Sequence, residues 1–75
     1  MKELLETIVR MLVDDPDAVK VEVIENERST LLQLSVAQND MGKVIGKEGR
    51  IAKSIRTVIK AASRNESKPV YVDIV

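Results

Sequence analysis

The stretch that most constrains this chain is Val44-Ile45-Gly46-Lys47-Glu48-Gly49-Arg50-Ile51. Two glycines sit three apart, with a Lys between them and an Arg directly after, where one helical pattern closes and another opens. Glycine reaches backbone angles that other residues avoid, and it lacks the side chain that would hold a ligand off the main chain. A helix that starts at such a turn points unpaired N–H groups outward, with the positive end of its dipole behind them. Together these features make a place for a phosphate. Lys43, Lys47, Arg50 and Lys53 supply full charges alongside. The expectation is a backbone clamp for single-stranded nucleic acid.

The rest of the composition narrows the alternatives. With 75 residues the chain reads as one small domain over residues 1–75. A domain of this size buries only about 60% of the surface its unfolded chain exposes, so its core must be simple. Cys and His are both absent. That removes disulfides, thiol nucleophiles, the usual zinc ligands and the usual general base, so neither metal nor cofactor is expected. No signal peptide and no membrane-spanning apolar run is visible, and a soluble cytoplasmic protein is expected. The glycine turn is too short for a Walker A loop, and Lys47 is not followed by a hydroxyl residue. Without an identifiable nucleophile–base or carboxylate pair, the chain does not read as an enzyme.

A formal net charge of zero argues at first against a nucleic-acid partner. The distribution reverses that reading. Residues 1–40 carry four basic against nine acidic side chains, and residues 43–68 carry eight basic against two acidic. A chain polarised in this way can present a basic face.

Taken in order, residues 2–13 read as an amphipathic helix with Leu4, Leu5, Ile8, Met11 and Leu12 on one face. Asp14-Asp15-Pro16-Asp17 stops it, and the acids match no calcium loop. Residues 19–25 alternate as a strand with Val19, Val21 and Val23 to one side, Ile24 breaking the pattern. After a polar turn at 26–29, residues 30–38 form a second strand, with Leu32, Leu34 and Val36 on one face. The short connection makes the pair antiparallel. Asp40 suits the N-cap of a short helix, Met41 to Ile45. A long helix follows from about Arg50 to Ser63. Its Ile51, Ala52, Ile55, Val58, Ile59 and Ala62 cover one arc, and Arg50, Lys53, Thr57, Lys60 and Arg64 another, with Arg56 on the flank. Pro69 opens the last strand, to Ile74. Strands two and three are joined by a helical crossover, which makes them parallel. The expected fold class is α+β, order α-β-β-α-α-β. It has a three-stranded mixed sheet with strand two in the centre and three helices on one face.

On these residues the chain resembles a type II KH domain. It carries the I-G-x-x-G signature between two helices, at Ile45-Gly46-Lys47-Glu48-Gly49, inside the matching element order. Its size resembles the small stand-alone KH proteins of bacteria, the KhpA family. The resemblance implies single-stranded RNA binding, with about four nucleotides held by the loop. It makes Gly46, Lys47, Glu48 and Gly49 the clamp, Ile45 and Ile51 its apolar flanks, and Val36 part of the groove floor. It also implies an RNA chaperone or post-transcriptional regulator, paired as a homodimer or with a larger KH-containing protein.

Bases would rest on aliphatic side chains, because Tyr71 is the only aromatic residue. Glu48 puts a negative charge in the clamp, and the turn at 26–29, taken as the opposite groove wall, is short. Weak binding with little sequence preference follows. Three phosphate contacts would give a salt slope of about −2. The competing readings are bland ones. The basic arc could be an ordinary solvated face, the glycines could serve only a tight helix-turn-helix, and the fold could be a protein-interaction module without RNA.

Overall fold

Hydrophobic spacing becomes the elements α1 (Lys2–Arg10), β1 (Lys20–Glu25), β2 (Thr30–Ser35), α2 (Gln38–Ile45), α3 (Arg50–Ala62) and β3 (Val70–Ile74). They are seen in a computed structural model that describes residues 1–46 and 49–75. A single 3-10 turn, Pro16–Ala18, links α1 to β1. The sheet order is β1-β2-β3. β1 runs antiparallel to β2, with Val21 opposite Leu34 and Ile24 opposite Leu31. β3 runs parallel to β2, with Thr30 beside Val70 and Leu34 beside Ile74. The α+β architecture expected from the sequence is the one observed: a mixed sheet with β2 central and the helices on one face.

The alternation along the strands decides which side the helices cover. Val21, Leu32, Leu34 and Val72 are buried, together with Leu5 and Val9 of α1, Val44 of α2 and Ala52, Ile55 and Ile59 of α3. Each fully buried Leu or Ile contributes about 1.5–3 kcal/mol relative to exposure. The other sheet face stays open. The register aligns Ile24, Leu31 and Tyr71 across it as an apolar row.

Three local expectations are corrected. α1 ends at Arg10 rather than 13, and its core arc is Leu5 and Val9, while Leu4, Met11 and Leu12 are exposed. Leu5 and Val9 form an i, i+4 stripe in the core with Ile8 packed half-buried beside it, so the wider apolar face in the sequence is only partly covered. The second strand stops at Ser35, and α2 begins at Gln38 with Ala37 as N-cap and no side-chain cap. Asp40 is therefore not a cap. It lies inside the first turn of α2, fully buried, and its carboxylate oxygens accept the backbone N–H of Asp14 and of Asp15, each at 3.0 Å.

Candidate nucleic-acid interface

The glycine turn is built by steric necessity at one end and by backbone conformation at the other. Gly46 ends α2 at φ 47°, and a Cβ there would lie 2.8 Å from the Lys43 carbonyl oxygen. No side chain fits without moving the helix end. Gly49 is left-handed at φ 68°, and a Cβ there would meet nothing within 4 Å. The Gly49 N–H donates to the Gly46 carbonyl at 3.1 Å and closes the turn. That donor is used inside the protein, and Gly49, the N-cap of α3, supplies no side-chain cap. Lys47 and Glu48, central to the sequence reading, lie outside the described residues.

The flanking residues divide. Ile45 is 46% exposed, an apolar surface beside the turn. Ile51 is half-buried and packs against the core, as Ile55 and Ile59 do more completely. Val36 also packs against the core, and it is not among the residues lining the groove described below. Arg50 and Lys53 stand on the outer, exposed side of α3. Lys43 is exposed, but its ammonium is held by the Asp14 carboxylate. The hydrogen bond that the Lys43 ammonium donates to the Asp14 carboxylate is the largest cause raising the Lys43 pKa; desolvation opposes it, and the charges of Asp14 and Asp40 add to the rise. A raised lysine stays protonated at every pH below its ordinary value of 10.5.

The structure adds a feature that sequence reasoning missed. Between α3 and β3 runs a groove of about 640 Å³, lined by Arg56, Lys60, Arg64, Lys68, Val70 and Tyr71 among others. Arg56 and Lys60 lie four residues apart on one face of α3, and Arg64 follows just beyond the helix end. Arg56 Nε donates to the Val72 carbonyl at 3.4 Å and covers part of the free β3 edge. Lys68 is committed elsewhere, pairing with Glu25 and donating to the Asn26 carbonyl at 2.8 Å. Among the described residues Arg56, Lys60 and Arg64 form no ion pair. The i, i+4, i+8 spacing was the available signal; what it lacked was the strand that faces it.

The turn at 26–29 is likewise relocated. Asn26 Oδ1 accepts the N–H groups of Arg28 and Ser29, and the turn sits beside Lys68. It lies at the start of β2, where β2 pairs with the start of β3, and α3 delivers the chain to that end. The whole length of α3 separates it from the glycine turn. It does not form the wall opposite the clamp; at the far end of α3 the loop at 63–69 borders the groove.

The chain has clear likenesses among known proteins. The family model for the KhpA/KhpB KH domain matches residues 2–74. The chain is 61% identical over its full length, and over the full length of the relative, to the RNA-binding protein KhpA of Clostridium acetobutylicum. It is 55% identical, again with full coverage of both chains, to the RNA-binding protein KhpA of Caldanaerobacter subterraneus. Against the RNA-binding protein KhpA of Borreliella burgdorferi it is 50% identical over 96% of this chain and 88% of the relative. Among solved structures, a point variant of Aquifex aeolicus Era bound to GDP.AlF4- superposes with a TM-score of 0.69 at 20% identity, over 97% of this chain and 28% of Era. Era in complex with MgGDPNP and nucleotides 1506–1542 of 16S ribosomal RNA gives 0.60 at 21% identity, over 99% of this chain and 30% of Era. The chain thus spans under a third of those Era chains, and they speak for the fold alone. The chain belongs to the KhpA/KhpB family as a small KH-domain protein.

Proposed function

We propose that this protein binds single-stranded RNA through the Gly46–Gly49 turn and acts as an RNA chaperone or post-transcriptional regulator. The observation that carries the reading is the turn itself. Gly46 tolerates no Cβ, and the turn it makes delivers an uncapped helix end flanked by cations. A helix end left open in this way accepts a phosphate through main-chain N–H groups and the helix dipole. Lys47, Glu48 and Gly49 complete the clamp, with Arg50 and Lys53 adding charge and Ile45 and Ile51 giving bases an apolar edge. Arg56, Lys60 and Arg64 support a continuation of the strand along the α3–β3 groove. The curated relatives, named as RNA-binding proteins, support the same reading.

The whole chain serves as one KH unit, and it works in pairs, as a homodimer or with a larger KH-containing protein. Two weak clamps on one RNA gain effective concentration. Exposed apolar side chains support pairing: Leu12 and Val58, 43% and 44% exposed, border a small cleft between α1 and α3. No described helix is long and apolar enough to cross a membrane.

The test is a magnetic-resonance titration with short oligoribonucleotides, alongside a variant carrying Asp at positions 47 and 48. The amides from Val44 to Lys53 should shift in the wild type, and the variant should lose RNA while its melting curve barely moves. Unmoved amides in that window, with shifts elsewhere, would sink the clamp. Loss of partner binding with RNA retention intact would favour a protein-interaction module instead.

A further inference from the structure

The helices cover one face of the sheet and leave the other to solvent. The strand register sorts that open face into rows. Ile24, Leu31 and Tyr71 form an apolar row at the end beside the 26–29 turn, with Ile24 41% and Tyr71 57% exposed. The next row is Glu22, Gln33 and Asp73, and beyond it stand Lys20 and Ser35. None of these side chains is buried. Among the described residues Lys20, Glu22, Arg28 and Asp73 form no ion pair. One exposed apolar side chain needs no partner, but three aligned across a whole sheet make a packing surface.

The charges beside the row select what can pack there. A second copy laid face to face with its strands parallel would stack Glu22 on Asp73 of the partner subunit, and Asp73 on the partner's Glu22. Turned half a rotation about the apolar row, the copies keep Ile24, Leu31 and Tyr71 against their own counterparts. Lys20 and Glu22 then meet the partner's turn, which carries Glu27 and Arg28. Asp73 faces the stretch before the partner's β3, which holds Lys68, already paired with Glu25 of its own chain. Opposite charges replace the stacked carboxylates. We propose that the open sheet face is a self-association surface on which a second copy of this chain stacks back to back, strands antiparallel. Ile24, Leu31 and Tyr71 lie at the twofold axis, and Glu22 stands against Arg28 of the partner subunit.

The same patch serves both copies, as a twofold contact requires. Stacked sheets lie about 10 Å apart, close enough for these side chains to interdigitate. The helices face outward on both sides, so both glycine turns stay free, as does the α1–α3 cleft that Leu12 and Val58 border. Three apolar side chains from each copy fall short of the about 800 Å² per partner of a standard interface, so the association is weak. It rests on the reading that the chain pairs and stands apart from the RNA clamp.

Sedimentation equilibrium of the full chain from about 20 μM to about 2 mM spans the range where so small a contact associates. The wild type should show a monomer–dimer equilibrium. Ile24→Ser should weaken it about tenfold or more, since both copies place that side chain in the centre of the contact. Ile24 carries the decisive variant because Tyr71 also borders the α3–β3 groove. Glu22→Arg and Arg28→Glu should each weaken it about threefold or more, because each reversal sets like charges together twice. The double variant Glu22→Arg/Arg28→Glu should return to within about twofold of the wild type. Leu12→Lys, in the α1–α3 cleft, should leave the equilibrium unchanged, and melting curves check that each variant folds.

Association that resists Ile24→Ser and falls with Leu12→Lys would overturn the sheet-face assignment and leave pairing intact. Losses in both charge variants without recovery in the double would overturn the antiparallel arrangement. A chain that stays monomeric throughout would overturn the pairing reading, and this surface with it. Amides of Ile24, Leu31 and Tyr71 that shift with added decauridylate, and not with protein concentration, would give the face to nucleic acid and overturn the proposal.

Discussion

On the proposed reading, the two ends of α3 would hold a strand by different means. At the N-terminal end the main chain would do the work: Gly46 cannot carry a side chain without a clash, Gly49 as N-cap supplies no side-chain cap, and Lys43 on the α2 side is held by Asp14. At the C-terminal end side chains would do it: Arg56, Lys60 and Arg64 line a groove whose other wall is the edge strand β3. The first end depends on a conformation and the second on charge. A conformation fails all at once when a Cβ is added, whereas charge declines step by step as cations are removed or salt rises. The comparison also explains how a chain of zero net charge offers a basic track. Asp14, Asp15 and Asp40 gather on the α2 side, while Arg56, Lys60 and Arg64 line the groove, with Glu66 the one acid among its lining residues.

The most disruptive test of the conformational end is Gly46→Ala. The new methyl meets a backbone oxygen at 2.8 Å in a positive-φ position, and neither partner is a flexible side chain. A cost of about 2–3 kcal/mol is expected. Melting should fall by roughly 8 °C or more on a scale of 4–8 °C per kcal/mol for a domain this size. Gly49→Ala has open space around its Cβ and meets only the left-handed penalty, about 1–2 kcal/mol. If both glycines prove equally tolerant, the turn is not sterically set and the contrast between the two ends fails.

Asp40→Ala comes next. It leaves the N–H groups of Asp14 and Asp15 without their shared acceptor and creates a small void, for an expected loss of about 2 kcal/mol in chemical denaturation. Asp40→Asn retains one acceptor oxygen and should lose less. A third test addresses the charged end. Removing Arg56 and Lys60 together should weaken binding about tenfold and flatten the salt slope by about 1.4, two contacts at 0.7 each. Unchanged binding and slope would confine recognition to the glycine turn.

How far the sequence could be read follows from the range of the interactions involved. α3 was legible because its apolar arc repeats within the helix, and the observed Arg50–Ala62 lies within one residue of the expected span. The strands and their pairing were legible because alternation and a short turn are local signals. Asp40 was not. Its partners are main-chain N–H groups 25 and 26 residues away, which carry no residue identity, so a helix-start propensity filled the gap. The groove was half legible. Arg56, Lys60 and Arg64 stood out as basic, but that they face β3 depends on the crossover that brings Val72 within reach of Arg56. Val9 was overlooked in favour of Leu4 and Met11 because side-chain size does not say where the sheet touches the helix.

The smallest expected effect separates the α2 side of the glycine turn from the α3 side most cleanly. Gly42 lies in α2, exposed, and a Cβ built there meets nothing within 4 Å. Glycine inside a helix costs about 0.5–1 kcal/mol relative to alanine through backbone entropy alone. Gly42→Ala should therefore raise the melting temperature by about 2–8 °C. If RNA leaves the turn along α3, the added methyl touches nothing bound, and affinity should stay within about twofold, under 0.5 kcal/mol. If instead the strand lies against α2, the methyl stands where a sugar or base must approach, and affinity falls although the protein is more stable. A variant that melts higher and binds less would move the path to the flank where Asp14 and Lys43 stand.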